Sequence, residues 1–238
     1  MRKSNTLPWE HLRRATYKCG ERSRCSIGFR YSTMSNTPVT EIITLTSNDA
    51  MKTTPKFQEA VELLRQSTFE GLQQMYWGDR VQQPGIRQWF INWDHRPQRS
   101  ESTAAIAAQI KEKLEAVVDS PPTRRLVAFN PYPPTKCFAA PFTEVIISTV
   151  KPETDLNEFS KIVDASLEVC HDFEGCYGTA WGYVVDAKDA KEVVLLLGWE
   201  SPEHHVAFMQ TEPARRTTLP YVEGVEDSTV FYVQSQDA

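Results

Sequence analysis

Several hallmarks of metal, redox, nucleotide and membrane proteins are missing from this sequence. Its five cysteines, Cys19, Cys25, Cys137, Cys170 and Cys176, are never closer than a C-x5-C spacing. Neither a zinc pattern nor a redox C-x-x-C is present, and reduced thiols are expected. Cys170 precedes His171, but neighbours in sequence do not bring their side chains together, so no cysteine nucleophile is indicated. His204 and His205 diverge on a helix, and no H-x3-H or carboxylate facial set accompanies them, so no metal is expected. Only 10 glycines occur and none forms a G-x-G-x-x-G or GK[ST] loop, which argues against nucleotides; no cofactor is expected at all. The longest uninterrupted apolar run, Val193 to Leu197, is far too short to span a bilayer, and no membrane partner is expected.

Positive charge is also scarce beyond the N-terminus. The net charge is −5, yet residues 1–33 hold eight Lys and Arg against Glu10 and Glu21, leaving 18 basic against 29 acidic residues from Met34 onward. An acidic body lacks the basic face that a phosphate backbone requires, so nucleic acid is not expected as a partner. The basic leader has no apolar core of the secretory kind. It reads as a mis-annotated start upstream of Met34, as a transit-like segment rich in Arg and Ser, or as a basic arm. The protein is accordingly expected in the cytoplasm, or in mitochondria if the leader is a true transit segment. With 40% apolar and 24% charged residues among 238, the remainder is ordinary globular sequence, long enough for two small domains.

What the sequence does have is an internal repeat. Phe69-Glu70-Gly71 followed by Trp77-Gly78 recurs as Phe173-Glu174-Gly175 and Trp181-Gly182, a shift of 104 residues. At nearly the same shift Thr40-Glu41-Ile42-Ile43 matches Thr143-Glu144-Val145-Ile146, and Trp93-Asp94 matches Trp199-Glu200. Three matches in order identify a tandem duplication. The expected organisation is a leader over 1–38, a first repeat over 39–130, a Pro-rich linker over 131–141 acting as a stiff spacer, and a second repeat over 142–235.

Periodicity alternates identically in the two copies. Residues 40–46 and 143–150 are β-branched runs of strand type. Phe57, Ala60, Val61 and Leu64, and then Phe159, Ile162, Val163 and Leu167, are spaced as helical faces. Further strands are expected around Tyr76-Trp77 and Trp181 to Tyr183, over 86–93 and 192–199, and over 125–129 and 228–233. Hairpin turns fit at Pro84-Gly85 and at Asp186 to Asp189. A helical stripe follows Trp93 at Ala104, Ile106, Ile110, Leu114 and Val117. After Trp199, Ser201 suits an N-cap and Pro202 a first helical position. Arg215-Arg216 are placed at the end of that helix, where cations suit the dipole. Each copy is thus β-α-β-β-α-β, a ferredoxin-like α+β unit. The apolar run 193–197 implies burial on both faces, so the two antiparallel sheets are expected to pack face to face as an intrachain pseudo-dimer, with a homodimer as a further assembly state.

The second copy carries a more specific likeness. Residues 193–212, VVLLLGWESPEHHVAFMQTE, have a strand ending in W-x-S and a helix beginning x-E-x-H-x-x-F, formed by Trp199, Ser201, Glu203, His205 and Phe208. This resembles the dimeric α+β barrel superfamily, which includes antibiotic-biosynthesis monooxygenase (ABM) domains and stress-responsive A/B barrel domains. The first copy departs from the motif at His95-Arg96-Pro97. The resemblance implies a pocket between sheet and helices, better preserved in the second repeat. It also implies an aromatic or polyketide-like ligand and either cofactor-independent oxygenation or, in the stress-responsive branch, no catalysis. A scaffold serving dimerisation alone is a third class.

His205 is the candidate general base or phenol partner, because it shares a helical face with Phe208 and Met209 and points toward the sheet. Its structural alternative is a satisfied core histidine. Trp199, Trp181, Tyr183, Phe208, Asn92 and Trp93 are the candidate substrate-binding residues, each with an ordinary packing role as the alternative. Tyr177 is a further phenolic donor near Trp181.

Overall fold

The computed structural model of the chain describes residues 37–67, 69–98, 101–185 and 191–237. Residues 1–36 of the expected leader and the expected turn at Asp186 to Asp189 lie outside these. The first half comprises β1 (Val39–Thr46), α1 (Ala50–Thr53), α2 (Lys56–Arg65), β2 (Leu72–Asp79), β3 (Ile86–Trp93), α3 (Glu101–Glu115) and β4 (Thr123–Asn130). After α4 (Thr135–Phe138), the second half runs β5 (Phe142–Val150), α5 (Leu156–His171), β6 (Cys176–Val184), β7 (Glu192–Trp199), α6 (Pro202–Met209), α7 (Glu212–Gly224), β8 (Val225–Val233) and the short β9 (Gln236–Asp237).

The strand order is β8-β5-β7-β6-β4-β1-β3-β2-β9, antiparallel throughout. Each half alone therefore has the ferredoxin-like order 4-1-3-2. The halves meet edge to edge at two equivalent seams. At one, β4 pairs with β6. At the other, β2 pairs with β9 and Arg80 bridges Val233. Because β9 continues β8, the sheet closes on itself and its edges disappear, which removes unpaired strand edges as aggregation templates. The fold is α+β, a dimeric α+β barrel built within one chain.

The Trp-Gly repeat has its reason at these seams. A Cβ on Gly182 would lie 2.1 Å from the Ala128 carbonyl oxygen, and one on Gly78 would lie 2.3 Å from the Gln234 carbonyl oxygen. Backbone of the opposite half occupies the place of a side chain in both cases. Gly71 and Gly175 instead have φ of +83° and +85°, the left-handed conformation that glycine adopts without a Cβ penalty, and so close the turns before β2 and β6.

The side chains fall into three cores. One fills the barrel, where Ile42, Phe90, Val127, Val145, Leu196 and Phe231 meet. The other two lie outside it, under α2 and α3 in the first half and under α5 and α7 in the second. Asp155 caps α5 by accepting from the Asn157 and Glu158 amides, a contact worth about 1 kcal/mol.

Three expectations are corrected. The segment 131–141 is more than a spacer: its α4 drives Phe138 into the barrel against Tyr76 and Phe90, both at 4.7 Å between ring centroids. The stripe after Trp93 is only partly a buried face, since Leu114 and Val117 are buried but Ala104 is exposed. Arg215 and Arg216 belong to the first turn and a half of α7, which Thr211 caps from Ala214, so the dipole argument for them fails. The Arg215 guanidinium donates instead to the Gln210 carbonyl.

Candidate functional site

Strand parity decides which candidates can share a site. Trp89, Ile91 and Trp93 face the helices, whereas Phe90 faces the barrel. Asn92 falls on the barrel side with Phe90. It is fully buried, its Oδ1 accepts from Thr40 Oγ1 at 2.7 Å, and its Nδ2 has no hydrogen-bond partner among the described residues. Asn92 and Trp93 therefore lie on opposite faces and cannot line one pocket.

On the helix side both halves carry the same construction. A glutamate on the first strand accepts from the indole at the end of the third: Trp93 Nε1 donates to Glu41 Oε2 at 3.0 Å, and Trp199 Nε1 donates to Glu144 Oε2 at 2.8 Å. Buried carboxylates need such donors, because an unpaired one costs several kcal/mol. These glutamates were not among the sequence candidates. Their signal was present in the repeat itself, where Thr-Glu recurs in both first strands inside otherwise apolar runs.

Beyond that shared pair the halves diverge. In the first half the remaining oxygen, Glu41 Oε1, is bound by Arg124 Nε, and Arg124 is about half exposed. Above the pair opens a cavity of about 610 Å³ walled by Phe69, Trp89, Trp93, Ile110 and Leu114, with Glu41 and Arg124 on the sheet side and Lys111, Glu115 and Asp119 also among its lining residues. From α3, Ala107, Ile110, Lys111 and Leu114 line it. The resemblance implies a better-preserved pocket in the second half; the cavity just described belongs to the first.

In the second half α6 and α7 fill the corresponding space. His205 stacks on Trp199 with centroids 5.3 Å apart, Phe208 packs on the same indole at 5.7 Å, and Tyr221 stacks on Phe159 at 5.5 Å. His205 is half-buried, and its Nδ1 contacts the Tyr232 hydroxyl and lies 3.4 Å from Glu144 Oε1. That oxygen is buried and has no hydrogen-bond partner among the described residues. Tyr221 shares a hydrogen bond with Ser148 Oγ at 2.6 Å.

The structure thus brings together His205, Trp199 and Phe208. It separates from them Trp181 and Tyr183, which pack against each other at 5.4 Å and against α5. Trp181 Nε1 donates to Asp164, and the Tyr183 hydroxyl lies 3.3 Å from Ser160 Oγ. Trp181 pairs with Leu195, four residues along β7 from Trp199, a separation of about 13 Å at strand spacing. Tyr177 is exposed and donates to Glu200.

Burial raises the phenols of Tyr132, Tyr221 and Tyr232 well above their ordinary range, with the Glu144 charge adding to the rise at Tyr221 and Tyr232. Burial, with the Asp237 charge, pushes Tyr76 up to about 12 from 10.0. In the folded state these groups keep protons that the unfolded chain releases above pH 10.0. The unfolded state then binds fewer protons, so stability falls as pH rises through the window from 10.0 to about 12 and beyond. Alkaline titration is expected to show much of the phenolate absorbance appearing together with loss of circular dichroism; complete ionisation of the tyrosines in the still-folded protein would contradict this.

No protein-family model matches the sequence, and no curated protein matches it either. Solved structures do match. A candidate monooxygenase from Lactobacillus acidophilus is similar over 85% of this chain and 96% of its own, with 13% identity and a TM-score of 0.61. A candidate monooxygenase from Fusobacterium nucleatum is similar over 86% and 99%, with 12% identity and a TM-score of 0.63. An anthrone oxidase-like protein is similar over 86% and 95%, with 14% identity and a TM-score of 0.58. At such identities the likeness is one of fold, and it extends over both halves. No helix among the described residues is long and apolar enough to cross a membrane.

Proposed function

We propose that the protein binds a planar aromatic small molecule in the cavity of its first half and oxidises it in the manner of cofactor-independent monooxygenases. The observation that carries this reading is the cavity itself. Its volume of about 610 Å³ suits a small organic ligand, its walls are largely aromatic and aliphatic, and the Glu41–Arg124 pair sits among its lining residues. Two of the similar structures bear the name monooxygenase and a third is anthrone oxidase-like, which supports an oxidisable phenol or anthrone as ligand class.

The chemistry assigned to the residues is limited and specific. Arg124, half exposed at the cavity, turns from Glu41 to the ligand's anionic oxygen. Glu41 is then free to take the proton from the activated carbon, while Trp93 continues to orient it. The resulting carbanion bonds to dioxygen to give a peroxide at that carbon; loss of the second hydrogen from the same carbon breaks the O–O bond, leaving a carbonyl, and the departing oxygen takes up the two released protons and leaves as water. A second reading places the proton acceptor at His205, favoured by the unpartnered Glu144 Oε1 lying 3.4 Å from its Nδ1.

Oxygen uptake with an anthrone or a polycyclic phenol distinguishes these. Glu41→Gln is expected to lower the rate at least 100-fold, within the range for loss of a general base, with His205→Ala changing it less than threefold. The reverse pattern assigns catalysis to His205. Binding without oxygen uptake in the unmodified protein identifies a non-catalytic ligand-binding barrel.

A further inference from the structure

We propose that Cys170 and Cys176 form a dithiol that a hydroperoxide converts to a disulfide, a modification site at the turn joining α5 to β6. Their sulfurs are 3.8 Å apart. The turn between them is tightly closed: the Phe173 amide donates to the Cys170 carbonyl and the Cys176 amide to the Phe173 carbonyl, both at 3.1 Å. Gly175 supplies the left-handed residue that brings β6 back toward the end of α5. Shortening the gap to the roughly 2.05 Å of a disulfide requires each sulfur to move about 1 Å.

The two thiols are unequal in the way such chemistry needs. Cys170 is fully buried on α5, whereas Cys176 is half-buried at the start of β6. The hydrogen bond between them holds the Cys176 thiol below its ordinary value, against its burial, and pushes Cys170 above its own, with burial adding to that rise. The accessible sulfur is therefore also the one with more thiolate character. Cys137, the third described cysteine, is buried, its thiol pushed up to about 12 by that burial, and it donates to the Leu196 carbonyl at 3.5 Å. It is the bystander.

The Cys176 thiolate attacks a peroxide oxygen, forming the S–O bond as the O–O bond breaks, and hydroxide leaves to become water. The Cys170 sulfur then attacks Cys176; the S–S bond forms, the S–O bond breaks, and a second water departs. Two thiol hydrogens and two electrons have passed to the peroxide, and a thiol reductant reverses the step. The modified turn adjoins α6, because the Gly175 carbonyl accepts from the Glu200 amide at 2.8 Å and the Gly175 α-carbon packs against His204.

The test treats the full-length chain with hydrogen peroxide, blocks remaining thiols with N-ethylmaleimide after unfolding, and cleaves after Asp and Glu without reductant. Cleavage between Cys170 and Cys176, after Asp172 or Glu174, separates the two cysteines unless a bond joins them. The expected product is a linked peptide pair containing Cys170 and Cys176, abolished by reductant, with Cys137 carrying maleimide. Maleimide on both Cys170 and Cys176, or a bond from Cys176 to another cysteine, overturns the proposal. In Cys170→Ser the Cys176 sulfenic acid is expected to persist and be trapped by a cyclic dione; its absence in folded Cys170→Ser overturns the role given to Cys176. The mapping of the unsubstituted chain decides the matter if that variant does not fold.

Discussion

Trp199→Ala is expected to destabilise the protein by about 4 kcal/mol, within the range for removing a buried aromatic. The indole is fully buried, stacks on His205, packs on Phe208, and supplies the hydrogen bond to Glu144. Its loss leaves a cavity, and it also leaves Glu144, 1% exposed, without the indole hydrogen bond to its carboxylate. Trp199→Phe separates the two effects, since it keeps much of the volume and removes the donor; about half of the loss is expected to remain. The equivalent Trp93→Ala borders the existing cavity, where Arg124 still binds Glu41, so it is expected to cost distinctly less. Urea unfolding measures all three. A loss below about 1 kcal/mol for Trp199→Ala would contradict the packing described, given the usual scale of such truncations.

Gly182→Ala is expected to cost about 3 kcal/mol, the upper part of the range for overpacking. The new methyl would sit 2.1 Å from a backbone carbonyl oxygen of β4, and no side-chain rotation can relieve that contact. Relief would require β4 and β6 to part, which opens one of the two seams that join the halves. Gly78→Ala should behave alike at the other seam, against the Gln234 carbonyl. Gly85→Ala is the control for conformational strain alone, because its φ is +107° but no atom lies within 4 Å of the added carbon. It is expected to cost about 1 kcal/mol. Equal losses at Gly85 and Gly182 would show that the seams are not closed as described.

The sequence revealed the duplication and the strand and helix order because both rest on local pattern. Phe-Glu-Gly and Trp-Gly recur where the chain must turn and where a neighbouring backbone must approach, and such constraints act on single residues. The edge-to-edge closure was less legible, since β4 meets β6 through residues with no mark of their own beyond the glycine. The location of the cavity was not legible at all. It depends on how much volume α3 leaves empty and how much His205, Phe208 and Tyr221 fill, a sum over tertiary distances that no periodicity encodes. The W-x-S and x-E-x-H-x-x-F motif drew attention to the second half, where these side chains occupy the space that the first half leaves open. Glu41 and Glu144 could have been found from the repeat by asking why an acidic residue stands twice in a buried strand.

If the first half holds the ligand in its cavity, filling that cavity should abolish binding, and a binding titration shows this directly. Ile110 lines the cavity and is only partly buried, so Ile110→Trp fills the space from α3 without disturbing Glu41, Trp93 or Arg124. Trp89 and Trp93, in the cavity wall, should report a planar phenol by fluorescence quenching. Saturable quenching is expected in the unmodified protein, with affinity reduced at least tenfold in Ile110→Trp and unchanged in Phe208→Leu, which alters the second half. Undiminished binding in Ile110→Trp, or its loss in Phe208→Leu, would contradict a first-half site.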